Sequence, residues 1–106
     1  MSRMDLPDQY VNLRKKYKSY MEALDHLGKE AGRHGPIDQK TGHLIQLAAA
    51  VTIRSQGAVH SHARRALQAG ATPEEINHAV ILLTSTIGFP SVSAALSWVD
   101  DILQNR

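Results

Sequence analysis

Apolar residues recur with a helical period along nearly the whole chain, beginning in its first third. There they step by three or four residues, which places them in one narrow stripe on a helix with basic and polar flanks. Gly32, Gly35 and Pro36 then break the pattern. We predict an oligomerisation helix over residues 5–33, whose stripe packs on another helix. The stripe comprises Leu6, Tyr10, Leu13, Tyr17, Met21, Leu24, Gly28 and Ala31.

A second helix is predicted from Asp38, as its N-cap, to about Ser55. Apolar residues cover most of its circumference, and a helix of that kind is normally buried. We expect Gly57 to interrupt it, so that a third helix covers residues 58–69. Gly70 follows at the position where a left-handed C-terminal cap is expected.

The clearest local signal is the tetrapeptide Thr-Pro-Glu-Glu at residues 72–75. Thr72 predicts an N-cap, the proline suits the first helical position, and Glu75 completes a capping box. The helix that it opens is expected to end at Gly88 and Pro90. A last helix carries the apolar residues Val92, Ala95, Leu96, Val99, Ile102 and Leu103.

No segment of the sequence alternates with the period of two that a half-buried strand requires. The pattern therefore predicts one all-α domain over residues 1–106, with about five helices and a core motif region over residues 38–87. A domain of this length buries only about 60–70% of its unfolded-chain surface. Because one helix is apolar nearly all round, we expect subunits to associate through the N-terminal stripe into an oligomer.

Composition narrows the classes of function. None of the 106 residues is cysteine, which excludes a disulfide framework, a thiolate zinc site and thiol redox chemistry. A net charge of +2 and an aromatic content of 5% argue against nucleic-acid binding. The longest apolar stretch, residues 47–51, is too short for a membrane span, and no secretory signal is visible. We therefore expect a cytoplasmic protein with no nucleic-acid or membrane partner.

Six histidines are the only concentrated reactive side chains in the sequence. His60 and His62 lie about 200° apart around a helix, so they cannot share one simple site within a subunit. Ser55 lies two turns before His62 and could line the same pocket, although no Gly-x-Ser-x-Gly turn accompanies it. His43 lies on the most apolar helix, and His78 is expected to be buried or to reach the third helix. The residues themselves predict a histidine-lined pocket in a helical oligomer.

Residues 38–87 resemble the carboxymuconolactone decarboxylase family, which includes the alkylhydroperoxidase D-like proteins. The family pattern is an acid followed by Leu-Ile-x-Leu-Ala, then Cys-x-x-Cys-x-x-x-His, then Ala-Leu-x-x-Gly-Ala-Thr-x-Glu-Glu-Ile. This chain has His-Leu-Ile-Gln-Leu-Ala at 43–48, Ser-Gln-Gly-Ala-Val-His-Ser-His at 55–62, and Ala-Leu-Gln-Ala-Gly-Ala-Thr-Pro-Glu-Glu-Ile at 66–76. The resemblance implies an all-α fold that is obligately oligomeric, as a trimer or a hexamer.

The chain departs from the family pattern at the redox positions. The two family cysteines fall on Ser55 and Ala58, and the family acid falls on His43. The family histidine is kept, as His62. In the redox branch the two thiols form and break a disulfide, while the acid and the histidine move the proton. Serine and alanine cannot do this, so the resemblance implies the fold and the pocket and argues against peroxidase or disulfide-reductase activity.

The decarboxylase branch of the family does not depend on the cysteine pair and needs no cofactor. It implies acid/base catalysis on a small carboxylate or lactone, by decarboxylation or isomerisation, with His62 and His43 facing each other. His60 and Ser55 are further candidate catalytic residues near the pocket, and Arg54 is a candidate ligand for a substrate carboxylate. His60 and Arg54 also have a plainer interpretation, as surface or interface residues.

Two other functions stay open on the sequence. The chain can be a non-catalytic binding or accessory oligomer that kept the fold after losing the thiols, whereas a redox role is disfavoured by the absence of cysteine. The imidazoles could also share a proton, or hold a metal ion with a third ligand from a neighbouring subunit. We predict no metal and no cofactor, and as partners other copies of the chain and a small-molecule acid.

Overall fold

The computed structural model describes residues 6–104, and all of their regular structure is helical. Within these residues the helical segments are α1 (Asp8–Lys16), α2 (Lys18–Arg33), α3 (Gln39–Thr52), α4 (Gln56–Gln68), α5 (Pro73–Ile81), α6 (Thr84–Ile87) and α7 (Phe89–Leu103). The predicted all-α class is confirmed. The expected number of about five helices is too low, because two of the predicted helices are each divided in the structure. None of the described helices has the length and hydropathy that a membrane crossing requires.

The helix predicted over residues 5–33 is divided at Tyr17, and its predicted first residue lies outside the described part of the chain. Tyr17 has φ −123° and ψ 57°, which are not helical angles. Arg14 of α1 donates a hydrogen bond of 2.6 Å to Asp25 of α2, across a sequence separation of 11. Such a separation spans about 16 Å along one straight helix, so this ion pair requires the bend. Neither glycine nor proline marks the bend, which explains why periodicity did not predict it.

The core is centred on α3 and α4, which pack along each other and are covered by α7 and α5. Ala63 and Ala66 of α4 are fully buried, and their small side chains let the neighbouring helices approach closely. Removal of this apolar surface from water is the main favourable contribution to folding. The buried core residues are Leu47, Ala50, Val51, Val59, Ala63, Ala66, Ala71, Ile76, Val80, Val92, Ala95, Val99, Ile102 and Leu103.

Three predicted helix boundaries are confirmed by their hydrogen bonds or dihedral angles. Asp38 caps α3, since its Oδ1 accepts a hydrogen bond of 2.7 Å from the Thr41 backbone N–H. Gly70 follows α4 with φ 99°, the left-handed conformation expected of it. Thr72 and Glu75 form the capping box at the start of α5, with both reciprocal hydrogen bonds present.

The break between the second and third predicted helices is misplaced in the sequence analysis. α3 ends at Thr52, the connection occupies residues 53–55, and Gly57 lies inside α4 and does not interrupt a helix. Ser55 begins α4 because its Oγ accepts a hydrogen bond of 3.3 Å from the Ala58 backbone N–H. A serine cap therefore decides the boundary, and the glycine does not.

The helix that starts at Pro73 is also shorter than expected. α5 ends at Ile81, and the single turn of α6 begins at Thr84. The Thr84 hydroxyl donates a hydrogen bond of 2.7 Å to the Ile81 carbonyl, a local contact that competes with continuation of the helix. Gly88, with φ 91°, separates α6 from α7 as predicted.

Two apolar helix faces are left uncovered within the single chain. On α3, Leu47 is fully buried but Ile45 is 52% exposed, and Ile53, directly after the helix, is 73% exposed. The prediction that this helix is buried all round is therefore wrong for one subunit. On α2, Tyr20 and Leu27 are 61% and 64% exposed. Oligomerisation through such faces stays a prediction.

Candidate active site

Two histidines from different helices meet between α3 and α4. His43 lies in the first half of α3, and His62 lies near the middle of α4. Their Nδ1 atoms are 3.4 Å apart, and the ring centroids are 5.7 Å apart with an interplanar angle of 34°. The structure thus brings together the two residues that the sequence analysis placed at the centre of the site. We call His43 and His62 the imidazole pair.

The surroundings of the imidazole pair favour its neutral form. Burial lowers the pKa of His43 and His62 from the ordinary value of 6.5, because it disfavours the charged ring. The positive charge of Arg65 lowers both pKa values further. A hydrogen bond with the Gln46 side chain acts in the opposite direction on the pKa of His43. Both rings are therefore mostly uncharged near pH 7, each with one N–H and one free lone pair.

His60 faces another part of the molecule. Its Nε2 lies 3.0 Å from Oδ2 of Asp101 on α7, and the two side chains connect α4 to α7. This placement agrees with the prediction that His60 and His62 do not share a site within one subunit. The structure does not place His60 beside the imidazole pair, where the sequence analysis had listed it as a candidate catalytic residue.

The structure gives Ser55 and Arg54 contacts of their own, away from the imidazole rings. Ser55 Oγ is engaged as the N-cap of α4. Arg54 has a left-handed backbone with φ 55°, and its Nη2 donates a hydrogen bond of 2.7 Å to Ser91 Oγ on α7. Within the described residues neither side chain bonds to His43 or His62. Both residues hold the α3–α4 connection in place, which is a structural role.

His78 is an exposed residue of α5, and its imidazole forms no hydrogen bond with another described residue. The expectation that it would be buried or reach the third helix is therefore wrong. The capping box sets where α5 begins, and that register turns His78 outward while Ile76 and Val80 face the core.

Arg65 is the site residue that sequence analysis overlooked. It lies one turn after His62 on the same face of α4, and its charge acts on both imidazoles. The signal was available, since a basic residue three positions after a pocket histidine must lie beside it on a helix. The predicted site nevertheless did not include Arg65.

Two clefts of the surface are not lined by the imidazole pair. A cleft of about 400 Å³ lies between the start of α1 and one face of α4. Another, of about 460 Å³, lies along the bend between α1 and α2 and is lined by Val11, Arg14, Lys15, Lys18 and Glu22. Neither is lined by His43 or His62, so the histidine-lined pocket expected from the sequence is not one of these two.

Over the described part of the chain, no group of three or more histidine and carboxylate side chains is arranged to hold a metal ion. The imidazole pair provides two nitrogen donors. A structural zinc site uses four ligands, and catalytic sites use three from the protein. The chemistry that the described residues can perform by themselves at this site is proton transfer and hydrogen bonding.

The sequence model of the carboxymuconolactone decarboxylase family matches residues 18–101, which is most of the chain. The chain belongs to the carboxymuconolactone decarboxylase family. The resemblance drawn from residues 38–87 is thereby confirmed, and the match extends it to α2 and to nearly all of α7. Only α1 among the described helices lies outside the match.

Two related proteins extend this finding. The crystal structure of a carboxymuconolactone decarboxylase family protein from Legionella pneumophila is similar with a TM-score of 0.76 and 26% identity, covering 91% of this chain and 86% of that one. An uncharacterized protein of Haemophilus influenzae is 38% identical over 57 residues, which are 54% of this chain and 50% of that protein. The chain thus matches about half the length of this curated relative.

Proposed function

We propose that this family member is a cofactor-independent acid/base enzyme that decarboxylates or isomerises a small carboxylate or lactone. The observation that carries the proposal is the contact between His43 and His62, with 3.4 Å between their Nδ1 atoms and both pKa values lowered. A pair of neutral imidazoles at a partly buried position is suited to proton transfer near neutral pH.

The contact between the two Nδ1 atoms has a consequence for the outer nitrogens. In a neutral pair, the ring that donates from Nδ1–H has a free lone pair on Nε2, whereas the accepting ring carries its proton on Nε2. One outer nitrogen is then a base and the other a proton donor. The pair can remove a proton from one atom of a substrate and deliver a proton to a developing carbanion or oxyanion.

The exposed apolar faces of α2 and α3 support a homo-oligomer, either a trimer or a hexamer, as the working form. Tyr20 and Leu27 on α2 and Ile45 on α3 are each more than half exposed in one subunit. Large exposed apolar side chains are common at subunit interfaces. A second subunit over α3 would also reduce the access of water to His43. We propose a cytoplasmic location for this oligomer.

A non-catalytic binding or accessory role is the second candidate. It is favoured by one observation, that neither described cleft contains the imidazole pair. A thiol peroxidase role is disfavoured, since the sequence has no cysteine and Ser55 serves as a helix cap.

The test replaces each imidazole by an amide in the purified protein and measures turnover of carboxymuconolactone and related lactone acids. We expect His62→Gln and His43→Gln to lower kcat by about 10²- to 10⁴-fold, the usual contribution of a general acid or base. His78→Gln, which removes an exposed histidine, is the matched control and should leave the rate unchanged. Absence of turnover by the wild-type protein on any such acid would favour the binding role instead.

A further inference from the structure

The cleft between α1 and α4 has one polar wall and one apolar wall. The α4 wall consists of residues that recur every three or four positions, with two adjacent arginines among them, so they form one face of the helix. The volume of about 400 Å³ lies in the range of sites that hold small organic molecules. The lining residues are Leu6, Pro7 and Tyr10 on one side, and Gly57, Ser61, Arg64, Arg65 and Gln68 on the other. We call this the arginine cleft.

The two arginines of the cleft differ from the other arginines that the structure describes. Arg14 bonds to Asp25, Arg33 to Glu30, and Arg54 to Ser91, as ion pairs or hydrogen bonds. The guanidinium groups of Arg64 and Arg65 have no hydrogen-bond or ion-pair partner among the described residues. None of the residues that line the cleft is acidic.

Two adjacent cations with no acidic side chain in the cleft itself are unfavourable, and the cost rises when one of them is partly buried. Asp25, whose pKa the charge of Arg65 lowers, lies outside the cleft lining and offsets only part of this charge. Arg64 is partly buried, and burial together with the neighbouring charge of Arg65 lowers its pKa. A bound anion would remove both penalties. Guanidinium groups suit a carboxylate in particular, because their planar fork donates two parallel hydrogen bonds to its two oxygens.

We propose that the arginine cleft binds a small organic acid, with its carboxylate on Arg64 and Arg65 and its apolar body against Leu6 and Pro7. The Ser61 hydroxyl, which has no side-chain partner in the described residues, supplies a further donor. Tyr10 accepts a hydrogen bond of 2.8 Å from Arg14 Nε, so its own O–H is still free to donate. The binding requires no catalysis and thus goes beyond the acid/base function.

Arg65 also connects the cleft to the imidazole pair. The positive charge of Arg65 lowers the pKa of both His43 and His62, and His43 also lowers the pKa of His62. A carboxylate held on Arg65 offsets that charge. Occupancy of the cleft is therefore expected to raise both imidazole pKa values, an effect that NMR can follow on the ring protons.

The first experiment titrates the full-length protein with benzoate, a carboxylate on a compact apolar body, and measures the dissociation constant by calorimetry or NMR. We expect saturable binding that Arg64→Gln and Arg65→Gln each weaken by about tenfold or more, because each removes a charge-assisted hydrogen bond. Arg33→Gln removes the same charge from the exposed end of α2 and should leave binding unchanged. Equal weakening by Arg33→Gln, or no saturable binding of benzoate, would overturn the proposal.

A variant that fills the cleft tests the proposal independently of the arginines, in case the loss of Arg64 disturbs folding. Gly57 lines the cleft inside α4, and a Cβ atom there would meet no other atom within 4 Å. Gly57→Leu is therefore expected to fill the cleft without disturbing α4, since leucine favours a helix more than glycine does. Gly57→Ala, the control, adds one methyl group. Benzoate should be lost from the leucine variant and kept by the alanine variant, and retention by both would contradict the proposal.

Two further experiments test whether binding in the cleft is independent of the acid/base function, and whether the cleft prefers an organic acid to an inorganic anion. His62→Gln should bind benzoate with wild-type affinity even where turnover is lost. One result would contradict the proposed binding site while supporting the acid/base function. In that result, His62→Gln loses turnover, but Arg64→Gln and Arg65→Gln bind benzoate as the wild type does. Inorganic phosphate is the second probe, and a protein that binds phosphate but not benzoate would show that the site does not take organic acids.

Discussion

The N-terminal arm, made of α1 and α2, and the helical core, made of α3 to α7, are held together by different interactions. Among the described residues of the arm, Met21 is buried, and an ion pair between Arg14 and Asp25 connects the two helices. The core buries a continuous set of apolar side chains, many of them fully. α2 packs mainly against α1 and presents Tyr20 and Leu27 outward.

The comparison shows that the same hydrophobic period can have two outcomes in one chain. Both α2 and α7 carry apolar residues at steps of three and four. The face of α7 is covered by α4 and α5, whereas that of α2 is open in the single subunit. Periodicity identifies the face of a helix that prefers burial, but the element that covers it is decided elsewhere.

The largest difference between the two regions is expected in stability. Leu47→Ala should lower the free energy of unfolding by about 2–5 kcal/mol, because it leaves a cavity at a fully buried position. Leu27→Ala removes the same atoms from a side chain that is 64% exposed, and should change the stability of a subunit far less. Chemical denaturation of both variants at one protein concentration provides the measurement. Equal destabilisation would mean that Leu27 is as well covered as the core.

A second difference is expected in association. If the arm forms a subunit interface, Leu27→Asp should weaken assembly by about tenfold or more, because an unpaired carboxylate would be desolvated there. Light scattering at micromolar concentration would then show a smaller mass for the variant, with its helical content unchanged. Asp8→Asn, a change at the exposed start of α1, is the control. A wild-type protein that is monomeric under these conditions would contradict the proposed oligomer.

The smallest expected difference is in the pH dependence of stability, which arises from two histidines of the core helices. The pKa values of His43 and His62 are lowered on folding, so the unfolded chain takes up protons at a higher pH than the folded one. The contribution of the two neutral imidazoles to the free energy of unfolding is complete at a pH above the ordinary pKa of 6.5. It is lost as the pH falls through the lowered pKa values of the folded protein. Thermal unfolding between pH 7.5 and 5 should show a falling Tm.

The pH experiment needs a control for the carboxyl groups. Asp25, Asp38 and Glu75 also have lowered pKa values, but their ordinary values are 3.8 to 4.5, so they act in a more acidic range. The double variant His43→Gln/His62→Gln should lose the Tm decline between pH 6.5 and 5, whereas His78→Gln should keep it. A decline of equal size in all three proteins would assign it to other groups.

Much of the local structure could be predicted because its causes are close in sequence. Asp38, Gly70 and the Thr72–Glu75 box act within one helical turn, and the structure has all three as predicted. The separation of His60 from His62 also follows from helix geometry alone. The bend at Tyr17 was not predicted, because no glycine or proline marks it. The boundary at Ser55 was misplaced, because Gly57 is the stronger local signal for a break.

The candidate site was predicted only in part. The meeting of His43 with His62 was expected from the family pattern, and the structure places the two rings in contact. The partner of His60, the bond from Arg54 to Ser91, and the exposure of His78 depend on how α5 and α7 lie against α3 and α4. No period or motif within a single helix carries that information.

The sequence by itself determined the helical class, several of the helix boundaries, the absence of cysteine from these 106 residues and the family. All of these depend on residue type or on neighbours within one or two turns. Tertiary structure decided which side chains face each other, including the imidazole pair and the two free arginines opposite Leu6 and Pro7. The physical reason is that packing between helices fixes their relative position and rotation, which depend on the shapes of all the contacting side chains together.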